Sequence, residues 1–320
     1  MSKILITISG YYERFQINTI ESCIKRAANP ENISFAIAHH EDHIVDTSHI
    51  FNRISRYLIP KRDKIGVQKP KHILSNMMQD EDYLLSIDSH VIMMPNWDKV
   101  LIEDYLHRVS TSKNKNIVIS GNFGNSIQLG DLDYQYCLDN YFNNDEFFNT
   151  QEKNFIDEFI IDGNPKSVKG DADYYEMALN KVPYLTHGNG TKPIELSNTY
   201  SGNFSFFPRS WFNKYNFSKE MFFSADQPET AMNIYTSGYD IWSPRFKYHC
   251  HMVDHSSTRG GVVAEFEGKT VQANRYFDIE KDYKAILWFR DKINNGYSEE
   301  RPRSVNEFLD FFKLNKELYK

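Results

Sequence analysis

Short apolar runs alternate along this chain with stretches of helical spacing, and few architectures satisfy that alternation. Ile4, Leu5, Ile6 and Ile8, with Thr7 between them, make a run of strand length closed by Gly10. Ile17, Ile20, Ile24, Ala27 and Ala28 then recur at helical spacing until Asn29-Pro30 stops the helix, and a second apolar run occupies residues 33–38. This is a β-α-β unit. Gly66 opens a further cycle in which Ile73, Leu74, Met77 and Met78 lead into Tyr83-Leu84-Leu85-Ser86-Ile87. Residues 117–120 read as another strand after a helix that begins near Trp97. Strands apolar at consecutive positions are buried on both faces, so the spacing predicts an α/β fold with a mainly parallel, Rossmann-like central sheet flanked by helices.

Residues 1–125 read as a nucleotide-binding half. From about Gly130 to Asn198 the chain turns polar, aromatic and rich in Asn and Asp, which predicts a loop-rich insertion. Regularity returns with a strand at 202–207, a helix at 227–236 and an apolar segment at 241–248, and residues 282–319 carry a helical pattern that would pack across the core. The expected division is one domain over 1–265, whose second half is 126–265, and a helical extension over 266–320.

The 320 residues carry 37 basic and 43 acidic side chains, a net charge of −6, so no global positive field exists to gather a polyanion. Cys23, Cys137 and Cys250 are far apart with no C-x-x-C spacing, which argues against a disulfide framework or a cysteine zinc site and favours a reducing compartment. No apolar run has the length of a signal h-region or a membrane span, so a cytoplasmic location is expected. A dinucleotide fingerprint, a P-loop and a G-x-S-x-G elbow are all missing, which removes the main supports for dehydrogenase, ATPase and serine-hydrolase readings.

Chemistry concentrates after the strand that ends at Ile87. In extended backbone Asp88 and His90 project to one side, and a carboxylate oxygen with an imidazole nitrogen suits Mn²⁺ or a similar borderline metal, with Mg²⁺ the alternative cation. Strand carboxyl ends are also where open α/β sheets collect ligands. His249-Cys250-His251 offers a further imidazole, from His249 or His251, and the two could instead form a site of their own. Asp226, before a helix, and Asp240, after Gly238-Tyr239, are acids that could serve the reaction or merely cap and turn the chain. His39-His40-Glu41-Asp42-His43 is rich in metal-ligand types, yet it follows a strand and reads equally as a polar loop.

Leu84-Leu85-Ser86-Ile87-Asp88-Ser89-His90 followed by Pro95-Asn96-Trp97-Asp98 resembles the Y-L-Q-I-D-S-H … P-G-W-D signature of the GlcNAc-domain glycosyltransferases, a family that includes polypeptide hydroxyproline N-acetylglucosaminyltransferases. Asn29-Pro30-Glu31-Asn32-Ile33, Ser201-Gly202-Asn203-Phe204-Ser205-Phe206 and Thr236-Ser237-Gly238-Tyr239-Asp240 continue the likeness in order, over roughly residues 3–255. The resemblance implies a GT-A fold and a metal-dependent transfer from a nucleotide-diphosphate sugar, a UDP-sugar, to a hydroxyl, with retention at the anomeric carbon. It implies Asp88, His90 and His249 as metal ligands, with His251 close enough to take that part. Asp226 and Gln227 stand where the family has paired glutamates. Thr7 and Ser9, at the end of the first strand, fall near its uridine contacts, although Ser9-Gly10-Tyr11-Tyr12-Glu13 keeps the family's opening S-Y-R-D poorly.

Lys69, Lys71 and Arg259 are candidates for the donor phosphates. The acceptor expected from the family is a polypeptide hydroxyl. The Asn-, Lys- and Ile-rich, anchor-free chain also resembles bacteriophage-encoded enzymes, which raises a second acceptor, a modified DNA base such as hydroxymethylated cytosine. Gln227 in place of a carboxylate invites a third reading, a non-catalytic sugar-nucleotide-binding module.

Overall fold

The computed structural model of the chain describes residues 2–10, 13–61, 63–121, 127–128, 134–144, 200–223, 225–242, 244–246, 248–253, 261–266, 269–274 and 278–311. The elements run β1 (Ile4–Ser9), α1 (Gln16–Lys25), β2 (Ile33–His40), β3 (Ile54–Ile59), α2 (Gln68–Ser75), β4 (Tyr83–Asp88), β5 (Val91–Met93), α3 (Trp97–Thr111), β6 (Ile117–Ser120), β7 (Ile127–Gln128) and α4 (Tyr134–Cys137). After the segment that is not described come β8 (Phe204–Pro208), α5 (Arg209–Phe212), α6 (Asp226–Thr236), β9 (Asp240–Trp242), β10 (His249–Val253), β11 (Gly261–Phe266), β12 (Lys269–Asn274), α7 (Ile279–Asn295) and α8 (Val305–Phe311).

The central sheet has seven strands in the order β3-β2-β1-β4-β8-β6-β9. All pairings are parallel except those of β8, which runs against both β4 and β6. Alternate residues of β1, β2 and β4 feed two apolar layers. Ile4, Ile6, Ile8, Phe35 and Leu85 pack with Ile20 of α1 and with Trp97 and Leu101 of α3. Leu5, Ala36, Leu84 and Phe207 pack on the other face with Leu74 of α2, Met232 of α6, Phe289 of α7 and Phe308 of α8. Helices on both faces explain why these strands are apolar at consecutive positions. Trp97, 1% exposed, donates its indole N–H to the carbonyl of Cys23 at 3.0 Å, tying α3 to α1 behind the sheet.

Several sequence expectations meet a different local structure. The sequence reading places no strand at 54–59, and the sheet is wider by that edge strand, β3. The apolar segment 241–248 is not one element: β9 ends at Trp242, and β10 begins only at His249. Of the insertion read at 130–198, only residues 134–144 are described. No helix among the described residues is long and apolar enough to cross a membrane.

A second, small sheet, β5-β10-β7, stands beside the carboxyl end of β4. Strand β10 runs antiparallel to β5, with His249 opposite Met93, Cys250 opposite Ile92 and His251 opposite Val91. That register matters below, because Val91 directly follows His90.

Candidate active site at the carboxyl edge of the sheet

Three ranks of side chains face α2 as β4 approaches its end. Leu84 is level with Leu5 and Phe207, Ser86 with Thr7 and Ser205, and Asp88 with Ser9, while the N–H of Asp88 donates to the carbonyl of Asn203 at 3.3 Å. The sheet therefore grades from hydrocarbon, through hydroxyls, to a carboxylate at its edge. Thr7 is 1% exposed and lies a rank beneath that edge, whereas Ser9 stands level with Asp88.

Asp88, His90 and His251 converge there, with their ligand atoms all within 4.8 Å of one another. His251 Nε2 lies 3.1 Å from Asp88 Oδ2 and 3.0 Å from His90 Nε2. The pairing of β10 with β5 delivers His251, and the Met252 N–H secures it by donating to the His90 carbonyl at 2.9 Å. His249, two residues earlier, is 1% exposed and stacks on Phe204 with ring centroids 4.7 Å apart, so it is not part of this group. Burial pushes the Asp88 carboxyl upward, but the hydrogen bond to His251 and the charges of His90, His251 and Lys71 outweigh it and hold the acid well below the usual carboxylate range. One carboxylate oxygen and two imidazole nitrogens make a donor set that fits a borderline divalent cation such as Mn²⁺.

Lys71 enters from α2. Its ammonium, buried, donates to the Gly202 carbonyl at 2.8 Å and to the Tyr200 hydroxyl at 3.3 Å. Burial alone would lower its affinity for the proton, but Tyr200, Asp226 and Asp88 reverse the sign and raise it. Lys69, two residues away on the same helix, points to solvent, and Arg259 lies outside the described residues.

Asp226 opens α6 on the far side of Lys71. A β-carbon at Gly202 would stand 3.3 Å from Lys71 Nζ, 3.8 Å from Asp226 Oδ2 and 4.0 Å from Gln227 Nε2, so this glycine sits where ammonium, acid and amide meet. Burial pushes the Asp226 carboxyl up to about 7, against the pull of Lys71. Gln68, fully buried on α2, donates to Thr230 Oγ1 at 2.8 Å and reaches Asp226 Oδ2 at 3.4 Å. The Gln68 contact with Asp226 joins residues 158 apart in the chain.

The structure does not bring Asp240 to this group. Strand β9 is parallel to β6 with Asp240 level with Ile117, the first residue of β6, so it begins at the opposite edge of the sheet. There Asp240 accepts from Arg303 at 2.8 Å, an ion pair that ties the carboxyl-terminal segment down.

The helix that carries Asp226 also carries Glu229, fully buried, whose Oε1 accepts from the Tyr297 hydroxyl at 3.1 Å. Burial pushes this acid up to about 8, with Asp226 adding to the rise and Tyr297 and Arg301 opposing it. Because the folded protein keeps a proton here that the unfolded chain gives up near 4.5, stability is lost as pH climbs from that value to about 8. Glu229→Gln, neutral at every pH, escapes the loss. Thermal melts should find the variant close to wild type near pH 5 and more stable by several degrees near pH 8; a constant offset would mean Glu229 is charged throughout.

No family model and no curated protein matches this sequence. Its fold does have solved counterparts, and it is the GT-A α/β fold of glycosyltransferases. The structure of S. aureus TarS 1–349 in complex with UDP-GlcNAc superposes with a TM-score of 0.50 and 13% sequence identity, over 98% of this chain and 72% of that one. The longer S. aureus TarS chain gives 0.48 at 13% identity, and this chain, matched over 97% of its own length, spans only 43% of that one. The mannosyltransferase PcManGT from Pyrobaculum calidifontis, in complex with GDP-Man and Mn²⁺, gives 0.41 at 10% identity over 76% of this chain and 54% of that one.

Proposed function

We propose that the protein is a metal-dependent glycosyltransferase that moves a sugar from a UDP-sugar to a hydroxyl of a macromolecular acceptor, with retention at the anomeric carbon. The observation that carries this reading is the convergence of Asp88, His90 and His251 at the carboxyl edge of a GT-A sheet.

Asp88, His90 and His251 would hold Mn²⁺, and the ion when bound supplies positive charge against the diphosphate that leaves as the glycosidic bond breaks. Lys71 adds a second, fixed positive charge at the same corner, oriented by the Gly202 carbonyl rather than by solvent. Asp226, with its carboxyl near 7, is poised between charged and neutral forms where it faces Lys71 and Gln227. It serves to orient the donor sugar or the acceptor hydroxyl. In a retaining transfer the leaving phosphate takes the acceptor proton, so Asp226 need not be a nucleophile.

A thermal-shift series with nucleotide sugars, with and without MnCl₂, tests the reading, because a ligand that binds only the folded state raises the melting temperature. A UDP-sugar should raise it by several degrees with manganese present and by much less without it. Equal stabilisation by UDP-sugars in both conditions, or none in either, would refute metal-assisted donor binding.

A further inference from the structure

His90 is held from behind by a group that the proposed reaction does not otherwise use. Glu13, in the loop after β1, is 8% exposed, and its Oε2 lies 3.0 Å from His90 Nδ1. The pair joins two parts of the chain 77 residues apart. The Glu13 carboxylate can only accept in this contact, so Nδ1 carries a ring proton, and the neutral ring that a cation would require has its lone pair on Nε2, the nitrogen that faces Asp88 and His251.

Two contacts keep Glu13 there. A β-carbon at Gly10 would meet Glu13 Cβ at 3.1 Å and the Gln16 amide nitrogen at 3.2 Å, so glycine leaves room for Glu13 close against the end of β1. From the other side His43 Nε2 lies 3.4 Å from the Glu13 carbonyl. That contact gives a structural part to the histidine-rich run 39–43, none of whose residues joins the group of Asp88, His90 and His251. Glu13 also places a second negative charge, after Asp88, close to the group.

We infer that Glu13 is the positioning residue of the cation site: it fixes the tautomer and orientation of His90 and supplies the second carboxylate that balances a divalent ion. The inference rests on the proposed metal site, and carboxylates behind metal-bound imidazoles are worth about 10- to 100-fold in metal affinity where they have been removed.

Isothermal titration of the full chain with MnCl₂, in the presence of saturating UDP, separates the two ideas when wild type, His90→Ala and Glu13→Ala are compared. Wild type should bind one Mn²⁺, His90→Ala should lose at least about 100-fold, and Glu13→Ala about 10- to 100-fold, with metal-free melting temperatures showing that both variants are folded. If Glu13→Ala binds Mn²⁺ like wild type while His90→Ala does not, Glu13 has no part in the site and the inference falls, although the metal site stands. If wild type itself takes up no Mn²⁺, the metal site fails and the inference with it. Should Glu13→Ala not fold, Glu13→Gln carries the test, since it keeps volume and an acceptor but not the charge. A loss of about threefold or more supports the role, and an unchanged affinity overturns it.

Discussion

Asp88→Ala is expected to lower turnover of a UDP-sugar by about a thousandfold, equivalent to roughly 4 kcal/mol of transition-state stabilisation. The carboxylate is the one anionic group among the three converging side chains, and its loss leaves two imidazoles 3.0 Å apart without the acid that His251 bonds to. Both kcat and donor affinity should fall, because a cation held there would contribute to binding the diphosphate and still more to the charge that grows on it. The fold should survive, since the Asp88 side chain is 36% exposed and contributes little apolar area to the core. Steady-state kinetics at saturating MnCl₂ check this. A variant that turns over within about threefold of wild type would remove Asp88 from the chemistry.

Lys71→Met should produce the largest loss of stability among single changes at this corner. Methionine keeps most of the aliphatic volume and deletes the charge. The lysine ammonium is buried, bonded to the Gly202 carbonyl and Tyr200 hydroxyl, and faces the charges of Asp226 and Asp88. Removing one member of a buried charge cluster typically costs about 3–5 kcal/mol because the remaining charges stay buried without compensation. The cost should depend on pH in a definite direction. Asp226 sits at about 7 with Lys71 pulling it down, so removing Lys71 raises it further. A carboxyl raised above its unfolded value loses stability as pH rises through its folded value. The variant is therefore more severely destabilised near pH 8 than near pH 5.5, where Asp226 takes up its proton in both proteins. Urea denaturation at the two pH values decides it, and an equal deficit at both would show that Lys71 and Asp226 are not coupled.

Much of this arrangement is legible in the sequence because its physics is local. Strands β1, β2, β4 and β6 sit deep in a sheet covered on both faces, so their apolar runs stand out. Strand β3 escapes notice because it is the half-exposed edge, where Arg56 interrupts the apolar run and no covering layer demands continuity. The antiparallel direction of β8 has no sequence signature, since Phe204 to Pro208 would look the same in either direction. Asp88 and His90 are readable because they stand two apart where β4 ends, Asp88 as its last residue and His90 in the bend before β5.

The remaining site residues depend on pairings that a linear reading cannot supply. His249 and His251 lie on the same side of β10, and only the register of β10 on β5 selects the second of them. Asp240 resembles a site acid because it follows a glycine turn, but the parallel course of β9 starts it at the wrong edge of the sheet. Lys71 and Gln68 do leave a trace: two polar residues three apart on α2, on a helix whose Leu74 is in the core, mark an inward-facing polar stripe. Glu13 leaves none, because its significance lies in a partner 77 residues away.

The most direct measurement is a crystal of the protein grown or soaked with MnCl₂ and a UDP-sugar, with diffraction recorded at the manganese edge. The account predicts one anomalous peak within bonding distance of Asp88 Oδ, His90 Nε2 and His251 Nε2, beside the donor diphosphate. A bound UDP-sugar with no manganese peak at those three atoms would contradict it.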